Sequence, residues 1–290
     1  MAGLGANIAL AAVKLVAGLL GHSAALVADA VESLADIVGS VVIWGGLHIS
    51  AKPADRDHPY GHGKAEALAA FAVAIMVTFA GVGIAVQAMH KITSPDSVPA
   101  PWTLLVLTLV VVVKEVLFRL TRRAAARSGS AAVETDAGHH RADAITSLAA
   151  FVGISAAVLG GDRFRTADAW AALAASAVIV LNGVRMLKGP LSELMDEEPG
   201  AVVDRAGELA RSVPGVRDVH KVAARKSGTR YWIDMHVRVE PSMRVDEAHA
   251  LVHRVKDHVR AAMPGVIDVL IHVEPWDPRF AAGAEAKPRE

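Results

Sequence analysis

Long apolar runs constrain this 290-residue chain more than any other feature. Runs of this length can cross a bilayer as helices, and the sequence predicts six transmembrane spans, roughly at residues 4–21, 24–48, 65–89, 101–121, 131–160 and 167–188. A hydrophobic content of 53% and a mean hydropathy of +0.37 are too high for a soluble protein of this length. We therefore expect an α-helical membrane protein whose first run, which follows no basic segment, is retained rather than cleaved.

Composition excludes several classes of function. The formal net charge is zero, so no overall electrostatic attraction favours nucleic acid as a partner. The chain has no cysteine, which rules out disulfides and thiolate metal sites. Any metal must therefore be held by nitrogen and oxygen ligands, and 13 histidines are available.

The second and fifth apolar runs carry the same motif. Residues 23–36 read SAALVADAVESLAD, and residues 130–143 read SAAVETDAGHHRAD. Each copy ends in two ligand-type residues four apart, which share one face of a helix: Glu32 with Asp36, and His139 with Asp143. Carboxylates inside a membrane are costly and usually functional. Together the two copies predict a four-ligand site for a divalent cation such as Zn²⁺, Fe²⁺, Co²⁺ or Mn²⁺, rather than for Cu⁺.

Basic residues predict how these runs are oriented. They are concentrated between spans two and three, between spans four and five, and at the end of span six. These residues are Lys52, Arg56 and Lys64, then Arg119, Arg122, Arg123 and Arg127, then Arg185 and Lys188. The opposite loops hold only Lys91, Arg163 and Arg165. This bias places both termini in the cytoplasm. The two motifs then run in opposite directions, so that spans one to three and four to six form an inverted pair with a site at mid-membrane.

The intramembrane acids could also have a purely structural role. Buried ion pairs or polar contacts between helices would account for them, with Lys14, Lys114 and Arg141 as the available cations. Asp29 and Asp136 precede each ligand pair by one turn. They either line the access path and support the ligands, or face a water-filled cavity without a specific role.

A second cluster follows span two, where residues 55–66 read DRDHPYGHGKAE. Asp55, His58 and His62 have the spacing of a metal site carried by a loop, and glycines at 61 and 63 allow tight turns. A solvated loop at the membrane surface would also be rich in His and Asp, so both interpretations remain.

After Gly189 and Pro190 the composition becomes that of a small soluble domain. Its periodicity predicts, in order, a helix, two strands, a helix and a strand, near residues 201–212, 216–224, 230–240, 244–262 and 267–274. This αββαβ order predicts a compact α+β sandwich. The tail from residue 276 is rich in Ala, Pro and charge, and we expect it to be disordered.

Histidines are unusually frequent in this domain. Four of them lie on different predicted elements, and an acid follows the last on the same strand face: His220, His236, His249, His272 and Glu274. His253, one turn from His249, is a competing ligand. Separation in sequence leaves open whether these side chains converge.

With these motifs the chain resembles the cation diffusion facilitators, metal–proton antiporters of the zinc- and iron-efflux type. The resemblance covers nearly the whole chain and rests on HSAALVADAVESLAD at 22–36, DHPYGHGKAE at 57–66, HHRAD at 139–143 and LMD at 194–196. It implies a six-helix transport domain over residues 1–190, a cytoplasmic ferredoxin-like αββαβ domain over 191–275, a tail over 276–290, and a homodimer.

The resemblance also implies roles for the residues above. The transport site falls on Glu32, Asp36, His139 and Asp143, the loop site on Asp55, His58 and His62, and the cytoplasmic site on His220, His236, His249, His272 and Glu274. Lys64 and Asp196 match an ion pair that links the membrane and cytoplasmic parts near the dimer interface. The family commonly has Asp or His where Glu32 stands and often Asp where Glu274 stands, so we expect a changed metal preference at the first position and a looser bridging geometry at the second.

The function expected from these features is transport, not catalysis. A divalent metal, Zn²⁺ or Fe²⁺ ahead of Co²⁺, Cd²⁺ or Mn²⁺, would leave the cytoplasm across the plasma membrane in exchange for protons, by alternating access. Coupling follows because each ligand must lose its proton to bind metal. The alternatives are a non-transporting metal sensor or scaffold of the same fold, and a channel. A membrane metalloprotease is disfavoured because no HExxH motif is present.

Overall fold

A computed structural model describes residues 2–94, 98–128 and 147–277. The described residues up to Leu194 are mainly helical, and each helix overlaps one of the predicted spans: α1 (Ala2–Leu20), α2 (Ala24–Ser50), α3 (Lys64–Thr93), α4 (Thr103–Ser128), α5 (Ser147–Leu159) and α6 (Ala167–Leu194), with a 3₁₀ turn at Gly161–Phe164 before α6. Among the described residues, α3 and α6 are long and apolar enough to cross a membrane. The six-span arrangement therefore stays a prediction.

The chain forms two compact units. A helical unit comprises Met1–Trp44 and Ala70–Lys188, and a mixed unit comprises Gly45–Ala69 and Gly189–Glu290. The loop between α2 and α3 thus groups with the C-terminal elements, whereas the sequence predicts a division at residue 190. Residues 278–290 of the predicted tail lie outside the described part of the chain.

In the helical unit, α3 and α6 approach each other closely at two glycines. A Cβ atom added to Gly81 would lie 2.8 Å from Val180 Cγ2, and one added to Gly183 would collide with Thr78 Oγ1 and lie 2.9 Å from the backbone nitrogen of Thr78. Small residues allow such contact between apolar helices. Because the second contact is with backbone, a side chain at Gly183 would force the two helices apart.

The mixed unit carries the predicted αββαβ order: α7 (Gly200–Arg211), β1 (Asp218–Ser227), β2 (Arg230–Val239), α8 (Val245–Ala262) and β3 (Val266–Pro275). The strands form one sheet in the order β1-β2-β3, antiparallel between β1 and β2 and parallel between β2 and β3. On β2 the buried residues Ile233, Met235 and Val237 alternate with polar ones, so one face joins the apolar core with α7 and α8.

The opposite face carries two polar rows that cross all three strands. His220 pairs with His236, which pairs with His272. Two residues along β2, a second row pairs in the same way: Asp218, Arg238 and Glu274. Residues two apart on a strand share a face, so the histidine row and the charged row lie side by side.

Candidate metal sites

The first candidate site is a cavity beside α2. Glu32 and Asp36 line a cavity of about 680 Å³ together with apolar residues of α3 and α6. Both carboxylates are half-buried, and they lie one turn apart on one helix face as the spacing predicts. Their predicted partners, His139 and Asp143, lie outside the described residues, as does Asp136.

Two polar residues of α6 also line this α2 cavity. They are Asn182 and Arg185, which sequence reasoning used only for orientation or not at all. Arg185 contributes a fixed positive charge to a space that holds two acids. The sequence offered no means of placing either residue at the cavity, because no spacing rule connects positions on α6 with the motif on α2.

Asp29, one turn before Glu32, has a different environment. It is 5% exposed, and its Oδ2 lies 2.8 Å from Nζ of Lys14, which is fully buried. Ser147 on α5 donates its hydroxyl to the same carboxylate at 2.9 Å and 3.0 Å, and Lys14 also donates to Ser33 Oγ at 3.1 Å. Asp29 therefore belongs to a buried ion pair between helices. The sequence left open two other roles for it, on the access path or at a water-filled cavity, and considered a buried ion pair for the ligand acids.

The start of α2 is held by an acid from another helix. Asp168, in the first turn of α6 and 3% exposed, accepts hydrogen bonds from the backbone N–H of Ala24 at 2.6 Å and of Ala25 at 3.2 Å. Its Oδ1 also accepts from Ser23 Oγ at 2.7 Å. A carboxylate here satisfies free N–H groups and complements the positive end of the helix dipole. The motif-bearing helix is thus positioned from its first turn.

The second candidate site is the loop cluster, Asp55, His58 and His62, in the mixed unit. Their ligand atoms all lie within 4.8 Å of one another. Asp55 Oδ1 lies 3.2 Å from His58 Nδ1, and Oδ2 lies 3.4 Å from His62 Nε2. Nδ1 of His62 faces the carbonyl oxygen of Pro53 at 3.2 Å, a contact that favours a proton on Nδ1 and leaves Nε2 as a ligand.

Local hydrogen bonds prepare Asp55 as an anion. Its Oδ1 accepts the backbone N–H of His58 at 2.7 Å and of Asp57 at 3.0 Å. The backbone hydrogen bond from His58 is the main cause that lowers the pKa of Asp55 below its ordinary value. Asp55 and His58 are exposed and His62 is half-buried, so a cation can reach them from solvent.

The third candidate site is the sheet cluster, His220, His236 and Glu274, whose ligand atoms lie within 4.8 Å of one another. Glu274 Oε1 lies 2.7 Å from His236 Nδ1, and Oε2 lies 3.2 Å from His220 Nε2. Ligands of a tetrahedral Zn²⁺ ion stand about 3.3 Å apart. The donor types and their separations therefore suit a zinc-like ion after small movements.

Burial raises the pKa of Glu274, but its surroundings reverse this effect. The hydrogen bond with His236, together with the charges of His220, His236 and Arg238, brings the pKa below its ordinary value. The carboxylate is therefore ready to bind a cation. His272 lies next to the cluster, with its ring 4.7 Å from that of His236, but it is 64% exposed.

His249 does not join this group within the chain. Its ring instead lies 4.5 Å from that of His253 on the same helix, α8. The two histidines are one turn apart on α8, which agrees with the sequence-based expectation that His253 competes with His249 as a metal ligand.

Lys64 and Asp196 lie together in the mixed unit, with Lys64 Nζ 2.6 Å from Asp196 Oδ1. Lys64 also donates to the carbonyl oxygen of Glu193. The buried carboxylate of Glu193 accepts from Lys226 at 2.8 Å and from the backbone N–H of Gly228 at 2.8 Å. The hydrogen bond with Glu193 raises the pKa of Lys226. These contacts connect the end of α6 to β1 and to the start of α3.

Apolar helices around a carboxylate-lined cavity, together with two His–carboxylate clusters in the mixed unit, are typical of a membrane protein that handles cations. Two family profiles match the chain, one described as the cation efflux transmembrane domain over residues 1–195 and one as the cation efflux protein cytoplasmic domain over residues 199–276. The chain belongs to the cation diffusion facilitator family.

Curated relatives agree with this assignment. Metal tolerance protein C1 of Arabidopsis thaliana is 32% identical over 98% of this chain, which spans 63% of that protein's length. The manganese efflux system protein MneP of Bacillus subtilis is 29% identical over 93% of each chain, and the cation-efflux pump FieF of Cronobacter sakazakii is 29% identical over 93% of this chain and 90% of the pump. A solved structure described as MamM-CTD is 32% identical, covers 27% of this chain and 98% of its own, and has a TM-score of 0.26.

Proposed function

We propose that this protein exports a divalent metal cation, Zn²⁺ or Fe²⁺, from the cytoplasm in exchange for protons. One observation carries the proposal: Glu32 and Asp36 face a cavity of about 680 Å³ inside the domain that matches cation efflux proteins. Intramembrane carboxylates on a cavity mark ion pathways. His139 and Asp143, from the second copy of the motif, complete the site in this proposal.

The proposed metal follows from the donor set. Three carboxylates and one imidazole suit borderline divalent ions, and the imidazole favours Zn²⁺ or Fe²⁺ over Mn²⁺. A manganese efflux protein is among the relatives, so Mn²⁺ is the competitor to test. Glu32 is the residue that decides between them, because its extra methylene displaces the carboxylate relative to an Asp.

Proton coupling follows from the chemistry of the same ligands. Metal binds only when the carboxylates and the imidazole have lost their protons, so a proton from the outside and a metal from the inside compete for one site. Two inverted halves that rock around the site would expose it to each side in turn. The protein then lies in the plasma membrane with several spans and both termini in the cytoplasm.

In this proposal the loop cluster and the sheet cluster regulate transport and do not carry the transported ion. The C-terminal profile belongs to the cytoplasmic domain of cation efflux proteins, which supports a homodimer. Metal held by the sheet cluster, with His249 and His272 as further ligands, would favour the dimer, because a ligand that binds one state stabilises it.

Flux in proteoliposomes tests the proposal. Purified protein with an acidic lumen should accumulate Zn²⁺ or Fe²⁺, and accumulation should stop when the pH gradient is collapsed. Asp36→Asn and Asp143→Asn should abolish it, whereas Glu115→Gln, which removes an exposed acid paired with Arg119 on α4, should not. Flux that ignores the pH gradient would indicate a channel. Metal binding without any flux would indicate a sensor.

Comparing Zn²⁺, Fe²⁺, Co²⁺, Cd²⁺ and Mn²⁺ on the parent and on Glu32→Asp addresses the choice of metal. We expect the substitution to change the ratio of Zn²⁺ to Mn²⁺ transport while leaving proton coupling intact. An unchanged ratio would remove Glu32 as the selecting residue.

A further inference from the structure

Arg238 is a buried cation on the polar face of the sheet. It lies on β2 two residues from His236, so it points to the same face as the histidines. Only 4% of it is exposed, although the face as a whole is polar. A buried guanidinium requires anionic partners, since desolvation of an unpaired charge is costly.

The partners of Arg238 include the sheet cluster itself. Its Nη1 donates to Asp218 Oδ2 at 3.0 Å, and its Nε lies 3.6 Å from Glu274 Oε2. Its Nη2 lies 3.3 Å from His220 Nε2. The guanidinium therefore extends from an acid outside the cluster to two of the three residues inside it.

These contacts involve the atoms that a metal would use. His220 Nε2 and Glu274 Oε2 are 3.2 Å apart and form one edge of the candidate site. A neutral imidazole nitrogen offers either a proton or one lone pair, so it cannot accept from Arg238 and bind a metal with the same lone pair.

We propose that Arg238 is a built-in cation of the sheet cluster, which a divalent metal must displace from His220 and Glu274 in order to bind. The charged row Asp218, Arg238 and Glu274 then holds the metal-free sheet together, a task that metal would otherwise perform. The cluster consequently responds only to a high metal concentration. This inference rests on the proposed metal-binding role of the sheet cluster.

The loop cluster can be compared with the sheet cluster as a similar set of ligands that, in the described part of the chain, has no arginine paired with its acid. Asp55, His58 and His62 offer similar donors, and among the described residues the ion pairs of Asp55 are with those two histidines only. Within the same part of the chain, no ion pair joins Asp55 to an arginine or a lysine. The loop cluster should therefore bind metal more tightly than the sheet cluster does, despite its greater exposure.

Metal titration of the full-length protein in detergent tests the proposal. A background carrying Asp36→Asn, His58→Ala and His62→Ala removes the other two candidate sites, so that Zn²⁺ binding by calorimetry and Co²⁺ absorption report the sheet cluster. In that background Arg238→Gln should raise the affinity for Zn²⁺ by about tenfold or more, the size expected when a charge within bonding distance is removed. Arg238→Lys should lie between Gln and the parent, because an ammonium cannot span Asp218 and Glu274 as the guanidinium fork does.

Arg217→Gln is the matched control. It removes the same charge from the same domain, at an exposed ion pair with Glu240, and should leave the affinity unchanged. Equal Zn²⁺ affinity in parent, Arg238→Lys and Arg238→Gln would overturn the inference about Arg238. If the Gln variant does not fold, the Lys variant alone decides, with an affinity no higher than that of the parent counting against the proposal.

One further variant separates this inference from the proposed function. Glu274→Gln in the same background should abolish binding. If Zn²⁺ binds to none of these proteins, or binds equally well without Glu274, the sheet cluster is not a metal site, and both this inference and its regulatory role fail. Proton-coupled flux through the α2 cavity, measured separately in proteoliposomes, is untouched by that result.

Discussion

Two acids of α2, seven residues apart, lie in opposite environments. Asp29 is sealed against α1 and α5 by Lys14 and Ser147, whereas Asp36 lines a cavity of about 680 Å³. The sequence predicts Asp36 as a ligand and gives Asp29, seven residues earlier in the motif, a place on the access path or at a water-filled cavity. The difference teaches that the local environment, and not membership of the motif, separates an acid buried in a contact between helices from an acid that lines a cavity.

The largest effect expected from this comparison is the loss of Lys14. Lys14→Met should leave the buried Asp29 carboxylate without the cation that Lys14 supplies, with the Ser147 hydroxyl still donating to it, and cost about 3–5 kcal/mol of stability. Thermal unfolding of the purified protein in detergent measures it. Lys14→Met combined with Asp29→Leu should recover most of the loss, because replacing both partners of a buried pair is often neutral. A double variant as unstable as the single one would contradict a structural pair.

Asp36 should behave in the reverse manner. Asp36→Asn should reduce proton-coupled metal flux by about a hundredfold or more, since loss of a ligand exceeds the 10–100-fold seen for residues that only support ligands. Its melting temperature in detergent should fall by less than half as much as that of Asp29→Asn. Equal destabilisation by the two substitutions would remove the distinction between the sealed and the cavity-facing acid.

The loop cluster extends the comparison to the surface. Asp55→Asn should lower the Zn²⁺ affinity of the loop cluster by about tenfold, because it removes a negative charge from the ligand set. We expect the fold to be unaffected, because Asp55 is exposed. Calorimetry on a background lacking Asp36 and Glu274 isolates this site. Asp57→Asn, two residues away and outside the cluster, is the control and should bind as the parent does.

The smallest effect concerns acid stability of the sheet. The pKa of Glu274 is lower in the folded protein than its ordinary value of 4.5, so the stability that it contributes is fully present above pH 4.5 and is lost as the pH falls through the lower folded value. In metal-free protein the difference in melting temperature between parent and Glu274→Gln should therefore shrink between pH 6 and pH 3. Glu240→Gln, at an exposed pair, should show a much smaller pH dependence. A constant difference for Glu274→Gln would exclude this linkage.

Sequence patterns predicted what depends on local spacing. The order αββαβ and the proximity of Asp55, His58 and His62 follow from periodicity and short intervals. The contact between Arg238 and Asp218 could not be predicted, because it depends on the strand register and on a bulge between His220 and Ala223. Lys14 was noted as a cation, but its pairing with Asp29 rather than with Glu32 depends on how α1 packs against α2. Asp168, which bonds to the start of α2, and Asn182, which lines the α2 cavity, gave no signal because both lie on a helix more than a hundred residues away along the chain.

The glycine contacts between α3 and α6 also decide how the cavity can change its width. Val73, Val77 and Ala80 on α3, with Ile179 and Asn182 on α6, form one side of the cavity, and α2 forms the other. At Gly81 and Gly183 the two helices come so close that a side chain added at either glycine would collide with the partner helix. The width of the cavity therefore depends on residues that need not touch a cation. A larger side chain at Gly183 would move α3 and α6 apart and widen the side of the cavity that they form.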